Sequence, residues 1–348
     1  MNPAIRFASY VEELASAMGQ VDRARPLRDY CTGLILPGER KSVEPMAART
    51  DPARVSAQHQ SLLHFVGAGG WSDEKVLGKI SELVVPAIAK HGPIEVGIID
   101  DTGIPKKGRH SVGVKPQYCG QLGKEANCQV AVSLSIANHF ASLPVGYRLY
   151  LPKEWAEDRA RRDRAGVPED IRFKTKQQIA LELVQRAHAA GLPLGVLLMD
   201  LDYGRDSRLR TSVSALGLSY VAGIQPNVLM WAPGTGPKRP DKSLNNNGRR
   251  NEPDLISAKE VVRALPQHAW RTIRWREGGQ LAVLALCTSA RTRRLQWRNP
   301  RAGRRGVAAD RVAGGRNKAQ QIQILALHTA GRDQLPPARR YQQDALAD

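Results

Sequence analysis

From Ala4 to about Lys90 the apolar residues recur at three- and four-residue intervals, with Val11, Leu14 and Met18 early and Val76, Ile80, Leu83, Val84 and Ile88 later. That spacing lays an apolar stripe along a helix, so residues 1–92 are predicted to form a helical N-terminal region. Ser72 and Asp73, at the start of the second set, supply a helix cap, and Pro93 closes the region. From Ile94 the pattern changes to short apolar runs divided by glycine and proline, the layout of strands. Runs at 94–99, 127–137 and 143–151 have strand length, and a tight turn near Asn138 and His139 joins the last two. A polar stretch over 152–174 leads into an amphipathic helix over 175–190. The run 194–199 is wholly apolar, which predicts a strand buried on both faces. A short helix over 205–216 and a strand over 219–224 follow. Beyond Gln225, Pro226, Pro233, Pro237, Pro240 and the asparagines at 245–247 mark an irregular loop before a short helix over 256–264.

Strand, hairpin, helix, buried strand, helix, strand is the order of a ribonuclease-H-like α/β domain, a mixed sheet flanked by helices. The chain therefore divides into a helical region, 1–92, a ribonuclease-H-like domain, 93–277, with an insertion starting after 226, and a tail, 278–348. At 348 residues and 42% hydrophobic it can bury a substantial core. No apolar run approaches the roughly 20 residues that cross a bilayer, and Glu12 and Glu13 follow Arg6 where a signal peptide would be apolar. A cytoplasmic location is expected. Cys31, Cys119, Cys128 and Cys287 are far apart and form no CxxC pair, so neither a zinc site nor a disulfide framework is suggested.

The formal charge of +19 points to a polyanionic partner, nucleic acid first, because clustered cations gain affinity by releasing counterions from phosphates. The charge is uneven. From Gly278 onward thirteen Lys and Arg face four Asp and no Glu, so nearly half of the excess lies in the tail.

Asp100 and Asp101 follow the apolar run ending at Ile99, and Asp200 and Asp202 follow the run ending at Met199. A single Asp after a strand is often only a turn-former or a helix cap, although Asp206 and Ser207 are better capping candidates than Asp200. Two acidic pairs at two buried strand ends are harder to explain as turns, and together they offer hard oxygen ligands for a shared divalent cation. Such ions clamp the attacking and leaving oxygens of an in-line phosphoryl displacement. Lys106, Lys107, Arg109 and His110, with Lys115, are candidates for phosphate contact, or form a solvated basic loop. Arg159, Arg161, Arg162 and Arg164 alternate with Asp158 and Asp163, as on a salt-bridged surface helix or one facing DNA; Asn127 and Gln129 are strand amides that suit substrate contacts if they face the site.

The string IIDDTGIPKKGRHSVGVKPQYCGQLGKEANCQVAVSLSI resembles the first catalytic block of the DDE transposases of the insertion-sequence-701 family. LYLPKEWAEDRARRDRAGVPEDIRFKTK, LLMDLDYG and GLILPGERKSVEPMAAR are similar to further blocks of that family, and the likeness runs from about residue 10 to Glu277. It implies a ribonuclease-H-like fold, Asp100 as first catalytic aspartate with Asp101 beside it, Asp200 as second, and Mg²⁺ or Mn²⁺ as the metal. It further implies DNA cleavage and strand transfer at terminal inverted repeats, target DNA as a second partner, a homodimer in a synaptic complex, and nucleoid association. Asp202 departs from the family, which more usually has a small residue there.

The family's third acid is a Glu in a helix reading roughly R-W-R-I-E-R-D-Y, and no segment after Glu277 matches it. Glu252, Glu260 and Glu277 remain as substitutes although none lies in such a pattern, and a structured nuclease using Glu260 or Glu277 as its third acid is a further reading. A shift of reading frame would account for this, the alternative being a genuinely divergent basic tail. The residues from Ala308 to Gly314, written as GCT GCT GAT CGA GTG GCC GGA, shift by one base to L-L-I-E-W-P. Those from Gln280 to Leu286 likewise shift to N-W-L-S-S-R-F. Both peptides look like family sequence, which predicts a one-base lesion near Gly278–Gln280, a non-native tail and an inactive protein. The alternative is a non-catalytic, basic DNA-binding remnant or regulator that occupies transposon ends.

Overall fold

The computed structural model describes residues 2–231 and 255–264, with the segments 270–273, 282–287, 305–312 and 322–328. Its backbone falls into two units, Met1–Pro93 with Asn138–Val145, and Ile94–Ala137 with Gly146–Asp348. Among the described residues no helix is long and apolar enough to cross a membrane.

The first unit holds five helices: α1 (Pro3–Ser16), α2 (Ala24–Ile35), α3 (Val43–Thr50), α4 (Val55–Ala68) and α5 (Asp73–Ala89). The apolar stripe read from the sequence is its core: Val11, Leu14 and Met18 pack with Leu27 and Phe65, and Val76 and Ile80 close on them. Ser72 caps α5 by accepting from the Lys75 amide at 3.3 Å. The turn expected near Asn138 is held by that residue. Its Oδ1 accepts from the amides of Phe140 and Ala141, each at 3.0 Å, and its Nδ2 donates to the carbonyls of Ile88 and Gly92.

The second unit is built on a mixed sheet. Its strands are β1 (Val96–Pro105), β2 (Lys115–Cys119), β3 (Lys124–Ala137), the part from Gly146 of β4 (Ser142–Leu149), β5 (Val196–Met199) and β6 (Tyr220–Ile224). β4 pairs with β3, β3 runs antiparallel to β1, and β1, β5 and β6 run parallel, the arrangement of a ribonuclease-H-like sheet. β3 shows why. Cys128, Val130, Val132, Leu134 and Ile136 are buried at every second position, so one face of the strand is apolar. Between β4 and β5 lie α6 (Lys153–Glu157), α7 (Arg159–Arg164) and α8 (Lys176–Ala189). Thr175 and Gln178 form a reciprocal capping box at the start of α8, whose Ile179, Ala180, Leu183, Val184 and Ala187 are buried. The short α9 (Leu201–Gly204) and α10 (Ser207–Ala215) connect β5 to β6.

β1 departs from expectation by continuing through the aspartates to Pro105. The reason is nonlocal: β3 pairs with β1 along its whole length, from Val96 opposite Ala137 to Pro105 opposite Cys128. Farther along, β7 (Leu229–Trp231) and β8 (Leu255–Ser257) form a two-stranded ribbon, and α11 (Ala258–Arg263) falls within the helix expected over 256–264. β9 (Trp270–Ile273), β10 (Ala282–Cys287), β11 (Arg305–Val312) and β12 (Ile322–His328) extend the sheet, with β12 antiparallel to β6. The rest of the tail expected to be non-native, and most of the irregular loop, lie outside the described residues.

Candidate active site

β1 and β5 are in parallel register up to Ile99 opposite Met199, and the next residues are Asp100, still within β1, and Asp200, the first residue past β5. Asp200 is also the cap of α9: its Oδ1 accepts from the amides of Asp202 at 2.9 Å and Tyr203 at 3.1 Å. The sequence pointed to Asp206 as the better cap, and Asp206 does cap α10 through the Leu209 amide at 2.7 Å, but both aspartates serve.

The turn at Asp200 depends on two glycines. A Cβ at Gly204 would overlap the Gly223 carbonyl, and one at Gly223 would lie 2.7 Å from the Leu201 nitrogen and 2.9 Å from the Asp200 carbonyl carbon. α9 thus rests directly on the β6 backbone. Gly204→Ala is expected to cost about 1–3 kcal/mol by overpacking, lowering the thermal midpoint. Gly78→Ala, at an open position inside α5, should instead gain roughly 0.5–1 kcal/mol. Equal midpoints for the two variants would remove the close approach from the account.

The four aspartates expected to share a cation differ in their surroundings. Asp100 is exposed and its Oδ1 accepts from the Asp101 amide at 2.7 Å. Asp101, the next residue on the strand and so on the opposite face, has both oxygens engaged: Oδ1 by the Tyr203 hydroxyl and Oδ2 by the Lys176 ammonium. The Asp202 carboxylate is 66% exposed and lies 3.8 Å from Arg205. Among the described residues no three acidic, His or Cys side chains converge on a common metal position.

Desolvation by the surrounding protein raises the Asp200 carboxyl above the usual carboxylate range; the charges of Asp202 and Asp101 add to this, and the amides of Tyr203 and Asp202 oppose it. Burial, followed by the charge and hydrogen bond of Asp101, pushes the Tyr203 phenol far up. Tyr203 is 1% exposed and stays protonated as a donor.

Several residues expected at a DNA surface have internal partners. Asn127 Nδ2 donates to the carbonyls of Lys106 at 2.8 Å and Gly108 at 2.9 Å, and Gln129 Nε2 donates to that of Val112 at 2.6 Å. Arg161 lies 3.6 Å over the Trp155 ring and donates to the Arg109 carbonyl at 2.9 Å. Lys115 pairs with Glu154 at 2.9 Å. Together these contacts staple the loop that carries Lys106, Lys107, Arg109 and His110, of which the last three are exposed. Arg162 donates to the carbonyls of Ala156, Pro168 and Ile171 at 3.2, 2.8 and 2.9 Å. Arg162→Ala leaves these carbonyls without their donor and is expected to cost about 1–3 kcal/mol in denaturant unfolding. DNA retention should hardly change; a loss of retention with unaltered stability would return Arg162 to the DNA surface.

Lys176 received no role from the sequence, although it stands in the family-like string ending RFKTK. Its signal was weak, one lysine among several beside a helix cap. A cavity of about 290 Å³ lined by Arg148, Leu149, Leu151, Ile171, Lys174 and Ile179, among others, holds none of the four aspartates.

Residues 13–282 match the model of a DDE superfamily endonuclease. The chain is also 33% identical over 169 residues to a probable transposase for insertion sequence element IS701 from Microchaete diplosiphon, covering 48% of this chain and 41% of that protein. It therefore spans less than half the length of the curated relative it matches.

Proposed function

The chain belongs to the DDE superfamily endonucleases, and from that membership we propose that it is the transposase of a bacterial insertion sequence, built for metal-dependent cleavage and strand transfer at transposon ends. One observation carries the reading: Asp100 within β1 and Asp200 just past the end of β5 each follow the last registered pair, Ile99 and Met199, of adjacent parallel strands inside the matched segment.

These two carboxylates would hold the metal, Mg²⁺ or Mn²⁺. Each uses Oδ1 on backbone amides, and among the described residues no hydrogen-bond partner is placed on either Oδ2. That leaves one hard oxygen from each strand, a donor set suited to a cation that keeps several waters. When bound, the ion supplies charge stabilisation for the attacking and leaving oxygens of phosphoryl transfer. The amides that grip Asp200 fix its carboxylate, and the strand pairing of β1 fixes Asp100. Lys107 and Arg109, exposed on the stapled loop, would grip backbone phosphates of terminal repeats and target DNA. A dimer would bring two ends together for coordinated cutting.

The reading includes an incomplete catalytic set. The match ends at residue 282, beside the lesion inferred near Gly278–Gln280, and the third carboxylate belongs to the sequence beyond it. The chain then occupies transposon ends, associated with the nucleoid, without breaking DNA. In this second role, a non-catalytic regulator or remnant, the exposed cations on the stapled loop would serve DNA retention alone.

Gel retardation with transposon-end duplexes, run over a salt series in Mg²⁺, tests both parts. Retention without nicking is expected, and the double variant Lys107→Ala, Arg109→Ala should reduce the slope of log affinity against log salt by about 2, roughly one per lost phosphate contact. An unchanged slope would remove this loop from the DNA surface. Robust nicking that Asp200→Ala abolishes would overturn the claim of inactivity.

A further inference from the structure

The two aspartates of the β1 doublet have different surroundings, and the difference assigns them different work. Asp100 is exposed, and its only described hydrogen bond to a side-chain oxygen comes from the neighbouring Asp101 amide. Asp101 is half-buried on the opposite face, gripped on one oxygen by Tyr203 and on the other by Lys176. Tyr203 comes from α9, the helix that Asp200 caps, and its own amide is one of the two that hold the Asp200 carboxylate. Lys176 is the first residue of α8, just after its capping Thr175, and the following Gln177 donates to the Asp202 carbonyl at 2.9 Å. Asp101 therefore ties β1 to both helices at the point where β5 ends. A carboxylate with a buried phenol on one oxygen and an ammonium on the other has its charge and its lone pairs already in use.

Resting on the proposed two-carboxylate metal site, we infer that Asp101, Tyr203 and Lys176 are positioning residues that fix Asp200 relative to Asp100, and that Asp101 is not itself a metal ligand. Tyr203 transmits the effect. Its hydroxyl is anchored on β1 while its amide holds Asp200, so the rigid ring sets how far the second carboxylate stands from the first. Lys176 balances the Asp101 charge, which would otherwise repel the metal-binding pair when no cation is present. Gly204, against Gly223, leaves α9 no room to settle elsewhere.

Two measurements on the full chain separate this inference from the metal-site reading beneath it. Hydrogen exchange without metal probes the network alone. In Tyr203→Phe the Asp202 and Tyr203 amides are expected to exchange about tenfold faster, with α10 unchanged; unaltered rates would overturn the positioning role. Manganese binding, followed by the spin-resonance signal of free Mn²⁺, probes the ligands. Asp100→Asn and Asp200→Asn should weaken binding by about 100-fold or more. Tyr203→Phe, Lys176→Met and Asp101→Asn should each weaken it by roughly tenfold, as is usual for groups that orient ligands. The Tyr203→Phe, Asp101→Asn double should be within about threefold of the weaker single, since both cut one network. Lys176→Arg should recover most of the Lys176→Met loss, which guards against a folding defect. Asp101→Asn matching Asp200→Asn while Asp100→Asn binds normally would make Asp101 the ligand and defeat the inference. Faster exchange in Tyr203→Phe with no Mn²⁺ bound by the unaltered chain would instead defeat the metal-site reading and leave the network standing.

Discussion

On the proposed reading, a one-base correction of the reading frame near the Gly278 codon is expected to give a chain that nicks transposon ends in Mg²⁺ where the uncorrected chain only binds them. The gain should be on the order of 10³-fold or more, the scale at which single members of a catalytic set count. The residues from Ala308 to Gly314 and from Gln280 to Leu286 yield family-like peptides in one common shifted register, L-L-I-E-W-P and N-W-L-S-S-R-F. The first supplies a glutamate where the present tail has none at all. With Asp100 and Asp200 alone a cation would be held loosely, and a third carboxylate would tighten it and supply the charge stabilisation of phosphoryl transfer. The check is a nicking assay on labelled end duplexes with the corrected and uncorrected chains side by side. A corrected chain that stays inert, or a gene with no family-like continuation in any frame, would count against the lesion.

Asp200→Asn is expected to abolish that restored activity, again by about 10³-fold or more, while leaving the fold intact. Asparagine keeps an Oδ1 acceptor for the amides of Asp202 and Tyr203 and is itself a good helix cap, so α9 should stay in place. What is lost is the negative charge. Because desolvation and the neighbouring Asp202 and Asp101 charges hold this carboxyl above its usual range, its ionised form strains the folded state. The thermal midpoint of Asp200→Asn should therefore equal or exceed that of the unaltered chain, the pattern of a site that gives up stability for function. Activity that survives, or a protein that unfolds several degrees earlier, would contradict the role given to Asp200. Asp100→Asn should lose activity to the same extent.

Much of this architecture was legible in the sequence because it is written in local periodicity. The alternation through Val130, Val132, Leu134 and Ile136 marks β3, the capping Thr175 marks α8, and the apolar run to Met199 marks β5. The sequence also placed Asp200 directly after β5, whereas Asp100 lies within β1 rather than at its end. What it hid depends on partners distant in the chain. β1 continues past its aspartates only because β3 pairs with it to the end. Asn127 holds carbonyls 19 and 21 residues away, so a strand amide read as a substrate contact is spent on a loop. Lys176 and Tyr203 reach Asp101 across 75 and 102 residues, and no local pattern links them. β2 lacked a signal of its own, since Lys115–Cys119 carries no apolar alternation and forms by pairing with β3.

The most direct test is a crystal structure of the chain grown with Mn²⁺, read by the anomalous scattering of the metal. One peak is expected between the carboxylates of Asp100 and Asp200, roughly 2.1 Å from an oxygen of each. Manganese bound elsewhere at saturating concentration, or those oxygens too far apart for one ion to touch both, would contradict it.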